Sequence, residues 1–200
     1  MGHSQQSKRE THEKIDSAAA KRFRERGLTG IGVADLMQEV GLTVGGFYKH
    51  FASRGDLVAQ AVQAMNSGWE ALFANAAATG QGNPQLFDAL VDSYLTTEHR
   101  DHPEDGGCLF GALSTEIGRS EAEVRTVATR KLETMIEKLQ SVFDDRRAPA
   151  ARTAALLTYS ALVGAIGIAR ATNDESLSRE VLATVAKGLK RTMRPLPKER

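Results

Sequence analysis

Residues 33–51 read VADLMQEVGLTVGGFYKHF, and the fold turns on how this stretch divides. Val33, Leu36, Met37 and Val40 recur at spacings of three and four, which puts all four on one face of a short helix. Gly41 stops that helix, because glycine can take the left-handed conformation that closes a helix C-terminus without a Cβ clash. A further helix is expected to begin after Thr43, a good N-cap residue, and to run to Phe51. The joint Gly41-Leu42-Thr43 is short enough to make the two helices cross steeply, as a helix-turn-helix requires. Gly45 and Gly46 are then the anomaly, since an internal glycine weakens a helix by about 1 kcal/mol relative to alanine. In the first turn of a helix that enters a DNA major groove they make sense: a surface without side chains lets backbone approach bases and phosphates. Tyr48, Lys49 and His50 follow on the exposed arc with a hydroxyl, a cation and an imidazole for phosphate oxygens, whereas Phe47 and Phe51, four apart, turn inward.

Outward from this stretch, nearly every periodic segment repeats at three and four and none alternates convincingly at two, so the chain is expected to be all-α with about nine helices. Ile15, Ala19 and Phe23 mark a first helix ending near Gly27. Leu57, Ala61, Val62, Met65, Trp69 and Leu72 mark a single long fourth one. The 200 residues, 41% of them hydrophobic, suffice for a core. The net charge is only +1, so the molecule as a whole is no electrostatic adhesive for nucleic acid, but the segment from Lys8 to Arg54 carries nine basic and six acidic residues. Arg22, Arg24 and Arg26 in that segment could touch phosphates or form a solvated face. One cysteine, Cys108, excludes a disulfide framework and a multi-cysteine zinc module and suits a reducing cytoplasm. The N-terminus lacks the apolar core of a signal peptide. The apolar run Ala154 to Ala171 is interrupted by Thr158, Tyr159, Ser160 and Arg170, so a buried protein helix is expected there rather than a membrane span.

The run from Gly27 to Leu57, GLTGIGVADLMQEVGLTVGGFYKHFASRGDL, resembles the DNA-binding head of the TetR family of transcriptional regulators, whose third helix typically carries small-x-Gly-x-aromatic or leucine-Tyr-x-His-Phe. The resemblance covers about a quarter of the chain. It implies a homodimer with two heads on a palindromic operator, and a divergent helical domain whose pocket takes a small molecule that releases DNA. It divides the chain into a helix-turn-helix domain at 8–56 and a ligand-binding and dimerisation domain at 57–194, and it makes Thr43, Tyr48, Lys49 and His50 DNA contacts, with Val44, Gly45 and Gly46 facing bases. Two positions depart from the family pattern: Gly32 offers no hydroxyl where Ser or Thr often caps the second helix, and Gly55 stands where an acidic residue is common.

Past residue 57 physics narrows the expectations. The two last long helices carry more apolar surface than one core face needs, and Gly164 and Gly167 permit close helix approach, so they are expected to pair with their copies in a four-helix dimer interface. Candidates to line a pocket for a largely apolar effector are Phe87, Tyr94, Phe110, Leu113, Met135 and Tyr159, each of which could equally be plain core. Cys108 follows Gly106 and Gly107 and is expected to start a helix, where free amides favour a thiolate and make it a candidate sensor of oxidants or electrophiles, with Arg100 nearby in sequence. His99 and His102 with Glu104, Asp105 and Cys108 could hold a cation, although a solvated polar loop is the plainer expectation, and no metal or cofactor is expected. The rival functions are a cysteine-dependent enzyme using Cys108 with His99 or His102 as base, and a helical interaction module that does not bind DNA.

Overall fold

The structure is a computed structural model that describes residues 2–65, 69–79, 83–102, 108–144 and 147–196. Among these residues there are eleven α-helices and no strand. They are α1 (Gly2–Arg26), α2 (Val33–Glu39), α3 (Val44–Phe47), α4 (Arg54–Ala64), α5 (Glu70–Thr79), α6 (Asn83–Tyr94), α7 (Thr97–Asp101), α8 (Leu109–Gly118), α9 (Ala122–Gln140), α10 (Ala148–Ala171) and α11 (Glu175–Thr192), with a 3₁₀ turn at Ser141–Phe143. The all-α class is as expected, and the helix count is higher than the nine anticipated for two reasons. The expected fourth helix is two, because Met65 turns its backbone to ψ 120° and ends α4 before Trp69 opens the way to α5. The polar stretch after Leu95 contains a short helix, α7, whose first turn is held by the Thr96 hydroxyl accepting the His99 N–H at 2.9 Å.

The chain divides into two compact units, Met1–Met65 with Ala112–Lys131, and Asn66–Gly111 with Leu132–Arg200. In the first, α1 buries Ile15, Ala19 and Phe23 and packs along α4, which buries Leu57, Val58, Ala61 and Val62. Gly27 ends α1 at φ +80°, and a side chain there would collide with the Glu116 carboxylate, whose Oε2 accepts the Leu28 N–H at 2.6 Å. Gly55 has a similar explanation: a Cβ would lie 2.8 Å from Oε2 of Glu121, so the family's usual acidic residue would set one carboxylate against another.

In the second unit, α11 packs on α10 and α6, and α10 also meets α7. The core is an apolar cluster in which Phe87, Leu90, Leu139, Phe143, Leu162 and Ile166 are almost fully enclosed. Arg170 fastens α10 to its neighbours by donating to three backbone carbonyls, those of His99, Arg100 and Gly111, at 2.7, 2.9 and 2.9 Å. Among the described residues, α10 is the one helix long and apolar enough to cross a bilayer. Its buried side belongs to this core, and its opposite side exposes Leu156, Leu157 (52%) and Ile168 (57%), with Leu177 of α11 also exposed. A Cβ added at Gly164 or Gly167 would meet nothing, so packing within the chain requires neither glycine.

Candidate nucleic-acid interface

The helix-turn-helix is set by local bonding. At the end of α2 the Leu42 N–H reaches the Met37 carbonyl at 2.8 Å and the Gly41 N–H reaches Gln38 at 3.0 Å, with Gly41 at φ +76°. That pair of bonds is a Schellman closure, which needs a left-handed residue at the glycine position. α2 then packs on α3, and Leu36, Met37 and Val40 are buried as the stripe required. Gly32 precedes α2 as its N-cap with no side-chain bond, as its missing hydroxyl implied.

The recognition segment is shorter as an α-helix than expected. α3 covers one turn, after which the chain tightens: Lys49 N–H bonds to Gly46 and His50 N–H to Phe47, both three residues back, while Phe51 N–H also returns to Phe47. Two glycines give little intrinsic helix preference, and tertiary packing decides the rest. Phe47 and Phe51 are buried and stacked 5.3 Å apart, and the His12 ring of α1 stacks on Phe51 at 4.6 Å. The Gln60 side-chain carbonyl accepts the His12 Nε2–H at 2.7 Å, and the Gln60 amide donates to Asp56 at 2.7 Å, so α1 and α4 together hold the back of the segment.

Its front is open. Thr43 occupies the N-cap with extended backbone, but its hydroxyl makes no cap bond, contrary to the expectation from residue type, and is left for other partners. Val44 is 47% and Tyr48 72% exposed, and Thr43, Gly45 and Lys49 are exposed too. His50 is half-buried, and burial, then nearby His12, Lys8 and Lys49, pushes its pKa below the usual imidazole range. A Cβ at Gly45 would meet nothing, and one at Gly46 would make ordinary contacts of 3.7 and 3.8 Å with Met37 and Thr43. Neither glycine has a positive φ. The fold of the head therefore requires neither. Arg22, by contrast, is taken up by Glu25 at 2.5 Å and Glu39 at 2.8 Å, an ion pair that ties α1 to α2.

Residues 15–61 match the family model described as bacterial regulatory proteins, tetR family. Over these residues the chain is of the TetR family. It is 29% identical over 180 residues to the HTH-type transcriptional regulator Rv0196 of Mycobacterium tuberculosis, covering 81% of this chain and 85% of that one. It is 23% identical over 141 residues to the transcriptional regulator AcuR of Cereibacter sphaeroides, covering 68% and 63%. Among solved structures, the reduced form of Escherichia coli NemR has the same fold at TM-score 0.75 and 19% identity, over 91% of this chain and 96% of that one. A TetR regulator from Chloroflexus aurantiacus matches at 0.76 and 22%, over 96% and 100%. These likenesses support a transcriptional regulator of the TetR type.

The second unit of the TetR-family chain gathers most of the residues singled out as pocket candidates. Phe87, Tyr94, Met135 and Tyr159 are buried in its core cluster with Cys108, and Phe110 packs against that cluster. Leu113 is buried and belongs to the first unit. Cys108 immediately precedes α8, and its sulfur lies 3.1 Å from the Tyr159 hydroxyl, whose pKa is raised by burial and then by the thiol. Trp69 lies beside both tyrosine rings, at 5.4 Å from Tyr94 and 6.3 Å from Tyr159. The Tyr94 hydroxyl is buried beside Cys108, and burial, then the thiol, raises its pKa.

His99 does not serve the thiol. Its Nδ1–H donates to the Tyr94 carbonyl at 2.6 Å and its Nε2 accepts the Cys108 N–H at 3.1 Å, so the ring is held as one neutral tautomer between two backbone groups. Burial accordingly lowers its pKa. Arg100 is also committed elsewhere, to Asp101 at 2.6 Å, Glu175 at 2.8 Å and the Ser178 hydroxyl at 2.8 Å. His102 is half-exposed, 4.0 Å from Glu98. No group of three His, Cys, Asp or Glu side chains could hold a metal among the described residues, and Glu104 and Asp105 of the considered cation site lie outside them. Sequence reasoning missed the contribution of α1 to the exposed face, where Ser7, Lys8 and Thr11 stand beside Lys49 and His50. The available signal was their spacing of three and four on a helix with a basic start.

Proposed function

We propose that this regulator is a ligand-responsive repressor that binds a palindromic operator as a homodimer and is released by a small molecule. The observation that carries the DNA-binding part is the pair Gly45 and Gly46, which neither backbone conformation nor packing requires, beside an exposed Tyr48 and Lys49. Thr43, Val44, Gly45, Gly46, Tyr48, Lys49 and His50 form the DNA-contacting set of a head domain at 8–56, and 57–194 supplies the effector and dimer functions in the cytoplasm. The exposed apolar stripe of α10 with Leu177 of α11 supports dimerisation through these last two helices. The test is binding to a palindromic duplex selected from a randomised pool, measured against salt. Tight binding that falls steeply as salt rises is expected, because each phosphate contact releases counterions. Salt-independent or absent binding of the dimer would overturn the proposal.

The effector is a largely apolar small molecule that packs among Phe87, Tyr94, Phe110, Met135 and Tyr159 and offers one polar group to the Tyr94 hydroxyl. That hydroxyl is buried beside Cys108, where a polar ligand atom would find it as a donor. Cys108, buried with its sulfur against the Tyr159 hydroxyl, is the candidate electrophile or oxidant sensor. Any group added to its sulfur breaks the bond to Tyr159 and overpacks the aromatic cluster, at about 1–3 kcal/mol. α8, which begins at this thiol, also carries the Glu116 carboxylate bonded to the Leu28 N–H. Operator binding needs two recognition segments about 34 Å apart for successive grooves, and release is the loss of that spacing. An alkylating electrophile is expected to release the wild-type protein from its duplex and to leave Cys108→Ser bound. Equal release of both proteins removes the thiol from the mechanism.

A further inference from the structure

An open groove of about 470 Å³ lies between the N-terminal turns of α1 and the end of the recognition segment, lined by Ser7, Lys8, Thr11, Lys49 and His50. None of these residues is acidic. Three other cations of the head are committed: Arg9 to Glu13 at 3.6 Å, Arg22 to two glutamates, and Lys14 to the Val40 carbonyl at 2.9 Å. Among the described residues neither Lys8 nor Lys49 has an ion-pair partner. The Thr11 hydroxyl donates to the Ser7 carbonyl at 2.8 Å, which leaves the Ser7 hydroxyl as the free O–H of this wall. Nδ1 of His50 is buried and has no partner. A proton there would be a buried orphan donor, so the neutral ring carries it on Nε2, the nitrogen left to donate into the groove.

The groove thus offers ammonium, hydroxyl and imidazole donors, with neither a carboxylate nor an aromatic platform. Such a site selects an anion over a base, which presents acceptors and donors together and stacks on rings. We propose that the groove seats one backbone phosphate of the bound duplex, clamped between Lys8 of α1 and Lys49 of the recognition segment, with Ser7 and His50 as further donors. The inference rests on duplex DNA being the partner, and it adds Ser7 and Lys8 of α1 to the interface.

The experiment titrates wild type, Lys8→Ala, Lys8→Arg, His50→Gln and His50→Phe with the pool-selected palindrome and with a mixed-sequence duplex, across a salt series. Lys8 is exposed, so its variants should fold. For Lys8→Ala, affinity for both duplexes should fall by about tenfold, and the slope of log affinity against log salt should shrink by about 2 for a dimer that loses one contact in each head. Lys8→Arg should restore the slope. His50→Gln, which keeps a donor near the Nε2 position, should bind better than His50→Phe. If wild type binds with a steep slope and Lys8→Ala matches it, the groove holds no phosphate although the DNA-binding function stands. If wild type binds neither duplex, the DNA-binding function fails and the groove proposal falls with it.

Discussion

Gly45→Glu is expected to leave the stability of the protein within about 0.5 kcal/mol of wild type and to lower its affinity for duplex DNA by at least about a hundredfold. The two halves of this expectation have separate causes. A Cβ at Gly45 enters open space, the backbone there has no positive φ, and a carboxylate in the first turn of a helix is favoured by the helix dipole. The folded head has no reason to object. A duplex has two: the longer side chain holds the backbone away from the groove, and its charge faces phosphates in both heads of a dimer. Gly45→Ala should show the same divergence at smaller scale, with slightly higher stability and weaker binding. Thermal unfolding and a binding titration on one preparation measure both quantities. A Gly45→Glu protein that binds DNA as tightly as wild type would show that α3 does not face the duplex.

Leu157→Glu combined with Ile168→Glu should leave the chain monomeric at micromolar concentration in sedimentation experiments, and binding to a palindrome should fall by at least about a hundredfold. Both side chains are more than half exposed on the face of α10 opposite its buried one, so a carboxylate at either costs the folded chain little. Against a second copy the same carboxylates would be buried without partners across a symmetric contact, where each appears twice. The loss of DNA affinity follows from valency. Two linked heads bind two half-sites with an effective concentration that a single head lacks. A double variant that stays dimeric would move the interface away from α10.

The amino-acid sequence by itself determined the all-α class, the α2–α3 joint with its left-handed Gly41, and the inward turn of Phe47 and Phe51. These rest on interactions within a few residues: a 3.6-residue apolar period, a Schellman closure, and aromatic side chains four apart. Tyr48 and Lys49 were legible as an exposed pair for the same reason, being off the apolar stripe. Only the tertiary structure decided the features that depend on residues far apart in the chain. That Gly55 makes room for Glu121, and that Gly27 sits under Glu116, could not be read from either glycine's neighbours. His99 has the sequence spacing of a candidate base or ligand, yet both its nitrogens are spent on backbone groups of Tyr94 and Cys108. Lys8 and Lys49 lie forty-one positions apart, and their common groove exists because His12 and Gln60 bring α1 and α4 together behind the recognition segment. Local periodicity carries direction around a single helix, whereas the pairing of one helix with another depends on which buried surfaces and hydrogen-bonding groups fit, and this is encoded by the whole chain at once.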